Sequence, residues 1–185
     1  KGGRFNVSGL CLAGIPLPVI GQNEKTAWGF TNTMVDDVDF FIEKIHSSNP
    51  NKYKHGEKWL DIKSVREKIP LKNGRDTTIV FRSTHHGPII SDAHPLVKEK
   101  SLKAISLSWT GHWITSEMDA WVQLCTMKNW DDFSKAVELF GVPGQNIIYA
   151  DVDGNIGWRP AVYIPIRREA FSMTPKPGEN PAYDW

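Results

Sequence analysis

The sequence has few cysteines, little net charge and no long apolar run, and each shortage excludes a class of protein. Cys11 and Cys125 have no metal-ligand spacing; they could form one disulfide, but two buried thiols are the favoured expectation. The 22 basic and 21 acidic residues leave a net charge of +1, without the one-sided basic field that nucleic-acid binding needs. No apolar run approaches the roughly 18–20 residues of a membrane span.

Several catalytic signatures are also missing from the sequence. It has no Gly-x-Ser-x-Gly elbow, so a Ser-His-Asp hydrolase has weak support, and it has no P-loop or dinucleotide fingerprint. His85 and His86 suggest zinc, but adjacent residues on a strand point to opposite faces. Because no third nitrogen or sulfur ligand lies at a recognised spacing, we do not predict a zinc site there.

The 185 residues fit one domain, 1–185, in which many strands surround one helical hairpin. Strands are predicted over 5–13, 39–46 and 104–110, whereas 49–59 is polar and turn-prone. Asn73-Gly74 predicts a hairpin whose returning strand covers 76–84. This order of elements predicts an α+β fold with an antiparallel sheet.

Two helices are predicted in the second half of the chain. Ser116, with Asp119 three residues later, has the pattern of a capping box and should begin the first helix. Asn129 should begin the second helix, which Gly141 and Pro143 should end.

Residues 21–39 form a polar turn, a strand and an acidic end that contains Asp36, Asp37 and Asp39. Three carboxylates this close repel one another unless they are solvated, paired or shared by a cation. Ca²⁺ accepts carboxylate oxygens and backbone carbonyls such as that of Val38. The local pattern alone leaves a solvated acidic turn as the alternative.

Two further residues suggest chemistry on local grounds. Asn146 opens a predicted strand, so its amide lies near a sheet end, where it could donate to an oxyanion or simply bind loop backbone. Arg167, followed by a second arginine, could bind a carboxylate or lie on the surface.

The eight tryptophans suggest an alternative function, a non-catalytic β-rich domain that binds ligands such as sugars on aromatic platforms. Tryptophans are more often core residues, however.

Eight short motifs occur in a fixed order over essentially the whole chain. They are Gly14-Ile15-Pro16, Ile20-Gly21-Gln22-Asn23, Ala27-Trp28-Gly29-Phe30-Thr31 with Asp36-Asp37-Val38-Asp39, Thr84-His85-His86-Gly87-Pro88, Asn146-Ile147-Ile148-Tyr149-Ala150-Asp151, Gly154-Asn155-Ile156-Gly157 and Ile164-Pro165-Ile166-Arg167. In this combination the chain resembles the penicillin acylase family. It departs from the family at Gln22, where a His is common, and at Ala161-Val162, which replaces a usual Gly.

The resemblance implies a piece of an N-terminal-nucleophile amidohydrolase with an αββα fold, matured by self-cleavage of a precursor. The family's nucleophile is the first residue of its large β subunit, a Ser whose own α-amino group is the base. That Ser should precede Lys1, so this chain is expected to be an inactive fragment of the β subunit. The α subunit and the rest of the β subunit would be its partners, a small amide its substrate, and the periplasm or the exterior its location.

The resemblance also implies roles for individual residues. The backbone N–H of Asn32 and the side-chain amide of Asn146 correspond to the oxyanion donors, and Arg167 corresponds to an arginine near the mouth of the active site. Ile20 and Phe30 correspond to positions that line the acyl pocket. The matches to the ligands of a structural Ca²⁺ are Asp36, the Val38 carbonyl and Asp39.

Overall fold

The computed structural model describes residues 3, 5–72, 74–93, 103–168 and 173–185. The strands, numbered in chain order, are β1 (Ser8–Leu10), β2 (Ile20–Gln22), β3 (Thr26–Asn32), β4 (Val38–Glu43), β5 (Ile45–His46), β6 (Asn49–His55), β7 (Lys58–Asp61), β8 (Lys63–Pro70), β9 (Asp76–Ser83), β10 (Ala104–Trp109), β11 (Gln145–Asp151), β12 (Ile156–Ala161) and β13 (Lys176–Pro177). The α-helices of the described residues are α1 (Glu117–Thr126) and α2 (Trp130–Glu138).

The chain divides into two compact units. Unit 1 is Lys1–Asp36 with Trp113–Ile164, and unit 2 is Asp37–His112 with Pro165–Trp185. The single domain predicted over 1–185 stays a prediction, because one domain can contain more than one compact unit.

Unit 1 is a five-stranded antiparallel sheet, in the order β1-β2-β3-β11-β12, with the two helices on one face. Along β11, Ile147 and Tyr149 are buried whereas Ile148 between them is exposed, which is the alternation of a sheet covered on one side. The covering helices contribute Leu124 and Phe133, both fully buried, to the core that these strand residues complete. The opposite face of the sheet stays open.

The helix starts agree only partly with prediction. The Asn129 side chain accepts the N–H of Asp132 at 2.9 Å, which confirms the predicted N-cap of α2. Ser116 precedes α1 but makes no side-chain cap bond, so the predicted capping box is wrong. Its backbone (φ −114°, ψ 40°) lies outside the extended region that an N-cap side chain normally uses. The neighbouring Glu117 carboxylate instead accepts the Thr115 hydroxyl at 2.6 Å.

Unit 2 contains three small sheets, β10-β4-β13, β5-β6-β7 and β8-β9. The predicted β8–β9 hairpin is confirmed, with Gly74 at φ +75° in its turn, whereas Asn73 lies outside the described residues. The prediction that 49–59 is a turn-prone segment is wrong, because most of it forms the β6–β7 hairpin. The hairpin reverses at Gly56 (φ +55°), and its mostly polar side chains hide the alternation that buries Tyr53.

The α+β prediction with an antiparallel sheet and one helical hairpin is confirmed. The β13–β4 pair is parallel and does not change that class. Within the described ranges, no helix is long and apolar enough to span a membrane. Both cysteines are free; Cys125 is buried as expected, but Cys11 is exposed.

Candidate functional site

Asn32 and Asn146, the two predicted oxyanion donors, meet at one end of the unit 1 sheet. β3 and β11 run antiparallel with Asn32 opposite Gln145, so Asn146 lies one position further along, opposite Thr31. The Asn146 amide nitrogen donates to the Asn32 carbonyl oxygen at 3.3 Å. Strand pairing therefore brings together two residues that are 114 positions apart in the sequence.

Trp158 fixes which way the Asn146 amide points. Its indole Nε1 donates to Asn146 Oδ1 at 3.0 Å. Because an indole nitrogen can only donate, Oδ1 must face Trp158 and Nδ2 must face Asn32. Nδ2 carries two hydrogens, so it can hold the Asn32 carbonyl and donate to a second oxygen as well. In the sequence Trp158 was only one of several tryptophans, and nothing near it in the chain indicated this role.

The backbone N–H of Asn32 points away from β11. Thr33 N–H donates to the Gly144 carbonyl at 3.2 Å, and hydrogen-bonded pairs alternate along an antiparallel ladder. The next hydrogen-bonded pair is therefore Thr31 with Asn146. Asn32 lies between these two pairs, so its N–H points toward the β2 side of β3. On that side the register with β2 extends only to Trp28.

Gln145 holds the Asn32 side chain in place. Its amide nitrogen donates to Asn32 Oδ1 at 3.0 Å, and Gln145 itself is 8% exposed. The end of β3 is thus fixed on its inner side by a buried amide, which orients the Asn32 peptide group. Two neutral N–H donors held this way suit an oxyanion, an interaction whose loss costs about 2.7–4 kcal/mol in enzymes that use it.

An apolar groove of about 720 Å³ lies on the open face of the same sheet. Its lining includes Ile20, Gly29, Ile148 and Trp158. A Cβ on Gly29 would come within 3.2 Å of Ile148, so the glycine keeps the groove open at this point. Because Trp158 both lines the groove and holds Asn146, the apolar surface continues to the amide donor.

Phe30 does not line this groove, although Ile20 does. Its ring packs against Trp121 and Phe140, with ring centroids 6.5 and 5.7 Å away, on the helix-covered face of the sheet. Strand alternation explains the difference, because Phe30 lies two residues after the buried Trp28 and shares its face. In this structure the two residues predicted to line one pocket lie on opposite faces of the sheet.

The sequence model of the penicillin amidase family matches residues 1–185. The chain belongs to the penicillin amidase family. It is 31% identical to the penicillin G acylase of Escherichia coli over 185 residues and 32% identical to the acyl-homoserine lactone acylase QuiP of Pseudomonas syringae pv. syringae over 187 residues. These alignments cover 100% and 98% of this chain but only 21% and 22% of the two relatives, so the chain spans about a fifth of their length.

A solved structure in the same family has a similar fold. It is described as the thermostable penicillin G acylase from Alcaligenes faecalis in orthorhombic form, and it superposes with a TM-score of 0.82 at 26% identity. The match covers 97% of this chain and 32% of that chain. The fold resemblance inferred from the ordered motifs is thereby confirmed.

The alternative of a tryptophan-lined binding domain loses support. Trp28 and Trp121 are buried in the core of unit 1. Four tryptophans are exposed: Trp59 in unit 2, and Trp113, Trp130 and Trp158 in unit 1. Half of the eight tryptophans are therefore buried or half-buried, whereas the alternative expects most of them to be exposed on one face.

Arg167 is engaged within unit 2 of this penicillin amidase chain. Its Nε lies 2.7 Å from Asp39 Oδ2, while Lys176 Nζ lies 2.6 Å from Asp39 Oδ1 and Trp185 Nε1 donates to Oδ2 at 2.8 Å. Burial acts to raise the pKa of Asp39, but the bonds from Lys176 and Arg167 outweigh it and hold the pKa below its ordinary value. Asn32 and Asn146 belong to the other unit.

The surroundings of Asp39 do not fit the calcium site that the family resemblance implies. Ca²⁺ takes about 6–8 oxygen ligands, and an ammonium or guanidinium beside it would repel it. Both oxygens of Asp39 already contact a cation, so a calcium ion bound at Asp39 would lie next to the positive charges of Lys176 and Arg167. The roles of Asp36 and the Val38 carbonyl as calcium ligands stay predictions.

Proposed function

We propose that this chain is part of an acylase that hydrolyses linear amides, and that Asn32 and Asn146 bind the oxyanion formed during the reaction. The observation that carries the proposal is the Asn146 amide, which Trp158 orients so that its nitrogen lies beside the Asn32 backbone. The names of the relatives, a penicillin G acylase and an acyl-homoserine lactone acylase, support the amide-hydrolysing class.

In the proposed reaction an N-terminal Ser outside this chain attacks the amide carbonyl, and its α-amino group takes the hydroxyl proton. As the carbon–oxygen bond forms, negative charge moves onto the carbonyl oxygen, where the Asn32 N–H and Asn146 Nδ2 stabilise it. The amine leaves with a proton, and water then releases the acyl group from the serine. We infer that the groove beside Ile20 and Ile148 takes an apolar acyl group.

The remaining parts of the proposal rest on the family resemblance and on the chain's share of its relatives' length. We infer an α subunit and further β-subunit segments as partners, maturation by self-cleavage, and a periplasmic or secreted location. A calcium ion held by Asp36 and the Val38 carbonyl belongs to the same set of proposals. Because the proposed nucleophile is elsewhere, residues 1–185 alone should not hydrolyse amides. Hydrolysis at the full enzyme's rate by those residues alone would contradict this.

The test is Asn146→Ala in the complete protein, assayed with chromogenic phenylacetyl and fatty-acyl amides. Loss of one oxyanion donor should lower kcat by about 10²- to 10³-fold, because the contact strengthens as charge develops in the transition state. KM should change little, since the ground-state carbonyl needs the donor less.

The matched control is Asn155→Ala, which removes another exposed amide from the turn between the same two strands, β11 and β12. Its kcat should stay within about twofold of the unmodified protein, as for surface changes that touch no reacting group. A folded Asn146→Ala protein with unchanged kcat, or an equal loss in the control, would refute the assignment.

A further inference from the structure

Three imidazoles in unit 2 converge on the carboxylate of Asp184. His86 Nε2 lies 3.1 Å and His85 Nε2 3.6 Å from Oδ1, while His55 Nε2 lies 3.4 Å from Oδ2. One potential ligand atom from each of His55, His85 and Asp184 lies within 4.8 Å of the others. The three come from the end of β6, the turn after β9 and the segment after β13, so no sequence spacing could reveal them.

His85 and His86 do not lie on a strand, so the alternation used in the sequence argument against a shared metal does not apply to them. The two residues lie in a tight turn closed by Thr84 N–H to the Gly87 carbonyl at 2.9 Å. Gly87 has φ +136°, which suits glycine, and the bend turns both histidine rings toward the same carboxylate.

The distances around Asp184 separate two kinds of contact. The 3.1 Å from His86 is a hydrogen-bond length, whereas the 3.4 Å and 3.6 Å from His55 and His85 are longer than the roughly 2.7–3.2 Å of a good N–H···O bond. Zinc binds nitrogen and oxygen at about 2.0–2.2 Å, so neighbouring ligands of a tetrahedral ion lie about 3.3–3.5 Å apart. The distances from Asp184 to His55 and to His85 are close to this spacing, and one ligand atom from each of the three residues lies within 4.8 Å of the others.

The second ring nitrogen of His85 is held by Tyr53. His85 Nδ1 lies 3.0 Å from the Tyr53 hydroxyl, which also accepts the His85 backbone N–H at 3.1 Å. A hydroxyl can accept as well as donate, so the Nδ1–H tautomer is available and leaves the Nε2 lone pair for a metal. An oxygen partner on the far nitrogen is the usual support of a metal-binding histidine.

Asp184 has a comparable support. His86 Nδ1 contacts the fully buried Glu43 carboxylate at 2.9 Å, and its ring stacks on Phe41 with centroids 3.7 Å apart. The opposite nitrogen, Nε2, lies 3.1 Å from Asp184 Oδ1, a contact that positions the carboxylate with Oδ2 toward His55. His86 is thus placed as a positioning residue.

His55 is not the satisfied core histidine that would be the simplest alternative. Its Nδ1 is buried and finds no hydrogen-bond partner among the described residues. Its other ring nitrogen, Nε2, lies 3.4 Å from Asp184 Oδ2 and is the atom that would bind the ion.

We propose that His55, His85 and Asp184 bind one Zn²⁺ ion, with water completing the coordination, as a site separate from the oxyanion donors. Two imidazole nitrogens and one carboxylate favour zinc over calcium, which prefers ligand sets made only of oxygen. The ion would join β6, the turn after β9 and the segment that carries Asp184, and so tie three distant parts of unit 2 together.

The test is metal binding by the complete, untagged protein after chelator treatment, with Zn²⁺ measured by calorimetry and Co²⁺ by visible absorption. We expect one Zn²⁺ per chain, a tetrahedral Co²⁺ spectrum and no competition from excess Ca²⁺. His55→Gln and His85→Gln should each weaken Zn²⁺ binding by about 100-fold or more, and Tyr53→Phe by about 10- to 100-fold.

The control is His46→Gln, which removes a histidine from β5 of the same unit that bonds Ser48 instead of Asp184. It should leave Zn²⁺ affinity and the Co²⁺ spectrum unchanged. Circular dichroism identifies any variant that does not fold, in which case Asp184→Asn replaces it. Equal weakening by His46→Gln, or unchanged binding in folded His55→Gln and His85→Gln, would overturn the proposal.

Discussion

The two units bury different kinds of side chain. The core of unit 1 is almost entirely apolar, with Leu124, Phe133 and Ile147 all fully buried beneath the helices. Unit 2 instead buries charged groups beside the fully buried Phe41. The charged groups are Asp39, Glu43 and Lys176, and the imidazole of His86 is buried with them.

In unit 1 the residues that stabilise the fold are different from those of the candidate site, whereas in unit 2 the buried charged residues themselves determine stability. Apolar burial is roughly additive in area, so the unit 1 core supports a polar site at the open sheet face without depending on it. A buried charge is tolerated only while its partner is present, because an unpaired one keeps the full cost of leaving water. Replacing Asn146 should therefore change the unfolding free energy little, whereas replacing Asp39 should lower it strongly.

The largest effect is expected from Asp39→Asn, which leaves Lys176 and Arg167 without their shared carboxylate. Both cations are almost out of water, with side chains 5% and 13% exposed. Removing one partner from such a cluster costs about 3–5 kcal/mol of unfolding free energy. Urea unfolding at neutral pH measures it.

The matched control is Asp61→Asn, which makes the same change at the pair between Lys52 and Asp61. That pair is 2.7 Å long, but the Asp61 side chain is 80% exposed, so its loss should cost at most about 1 kcal/mol. Equal losses in the two variants would show that burial does not decide the cost, and the contrast between the units would fail.

Lowering the pH should reduce the unfolding free energy by a smaller amount, through protonation of Asp39. Burial raises the pKa of Asp39, but Lys176 and Arg167 hold the net value below the ordinary one. The folded state therefore binds this proton less readily than the unfolded state. Its stabilising contribution is complete above about pH 4 and is lost as the pH falls through the lower, folded-state pKa.

The Asp39→Asn protein has no such group, so its unfolding free energy should fall less steeply below pH 4 than that of the unmodified protein. The difference between the two should shrink as the pH is lowered. Urea unfolding at several pH values from 7 down to the acid limit of folding measures both curves. Parallel curves would mean that Asp39 is not held ionised by its partners.

The sequence was sufficient wherever a signal lay within one element. Asn73-Gly74 predicted the β8–β9 hairpin, and Asn129 predicted the start of α2, because turn and cap chemistry acts over a few residues. The ordered family motifs led to Asn32 and Asn146, but only strand pairing revealed Trp158 and Gln145 as their supports.

The sequence failed where partners are distant. Arg167 and Lys176 lie 128 and 137 positions after Asp39. Because the nearby sequence contains neither partner, the acidic run was interpreted as a solvated turn or a metal site. His55 falls in a segment whose polar residues suggested turns, and Asp184 lies near the other end of unit 2. Local patterns carry no information about which distant segments a buried charge meets.

The smallest expected change in unfolding free energy is in unit 1, where a polar side chain such as Asn129 contributes through a single hydrogen bond. Asn129→Ala removes the 2.9 Å cap bond to Asp132 and should cost about 1 kcal/mol of unfolding free energy. Ser116→Ala, the same kind of change one helix earlier, should cost much less because that side chain makes no cap bond. Urea unfolding of the two variants decides the point. A loss at Ser116 as large as that at Asn129 would mean that its hydroxyl does cap α1.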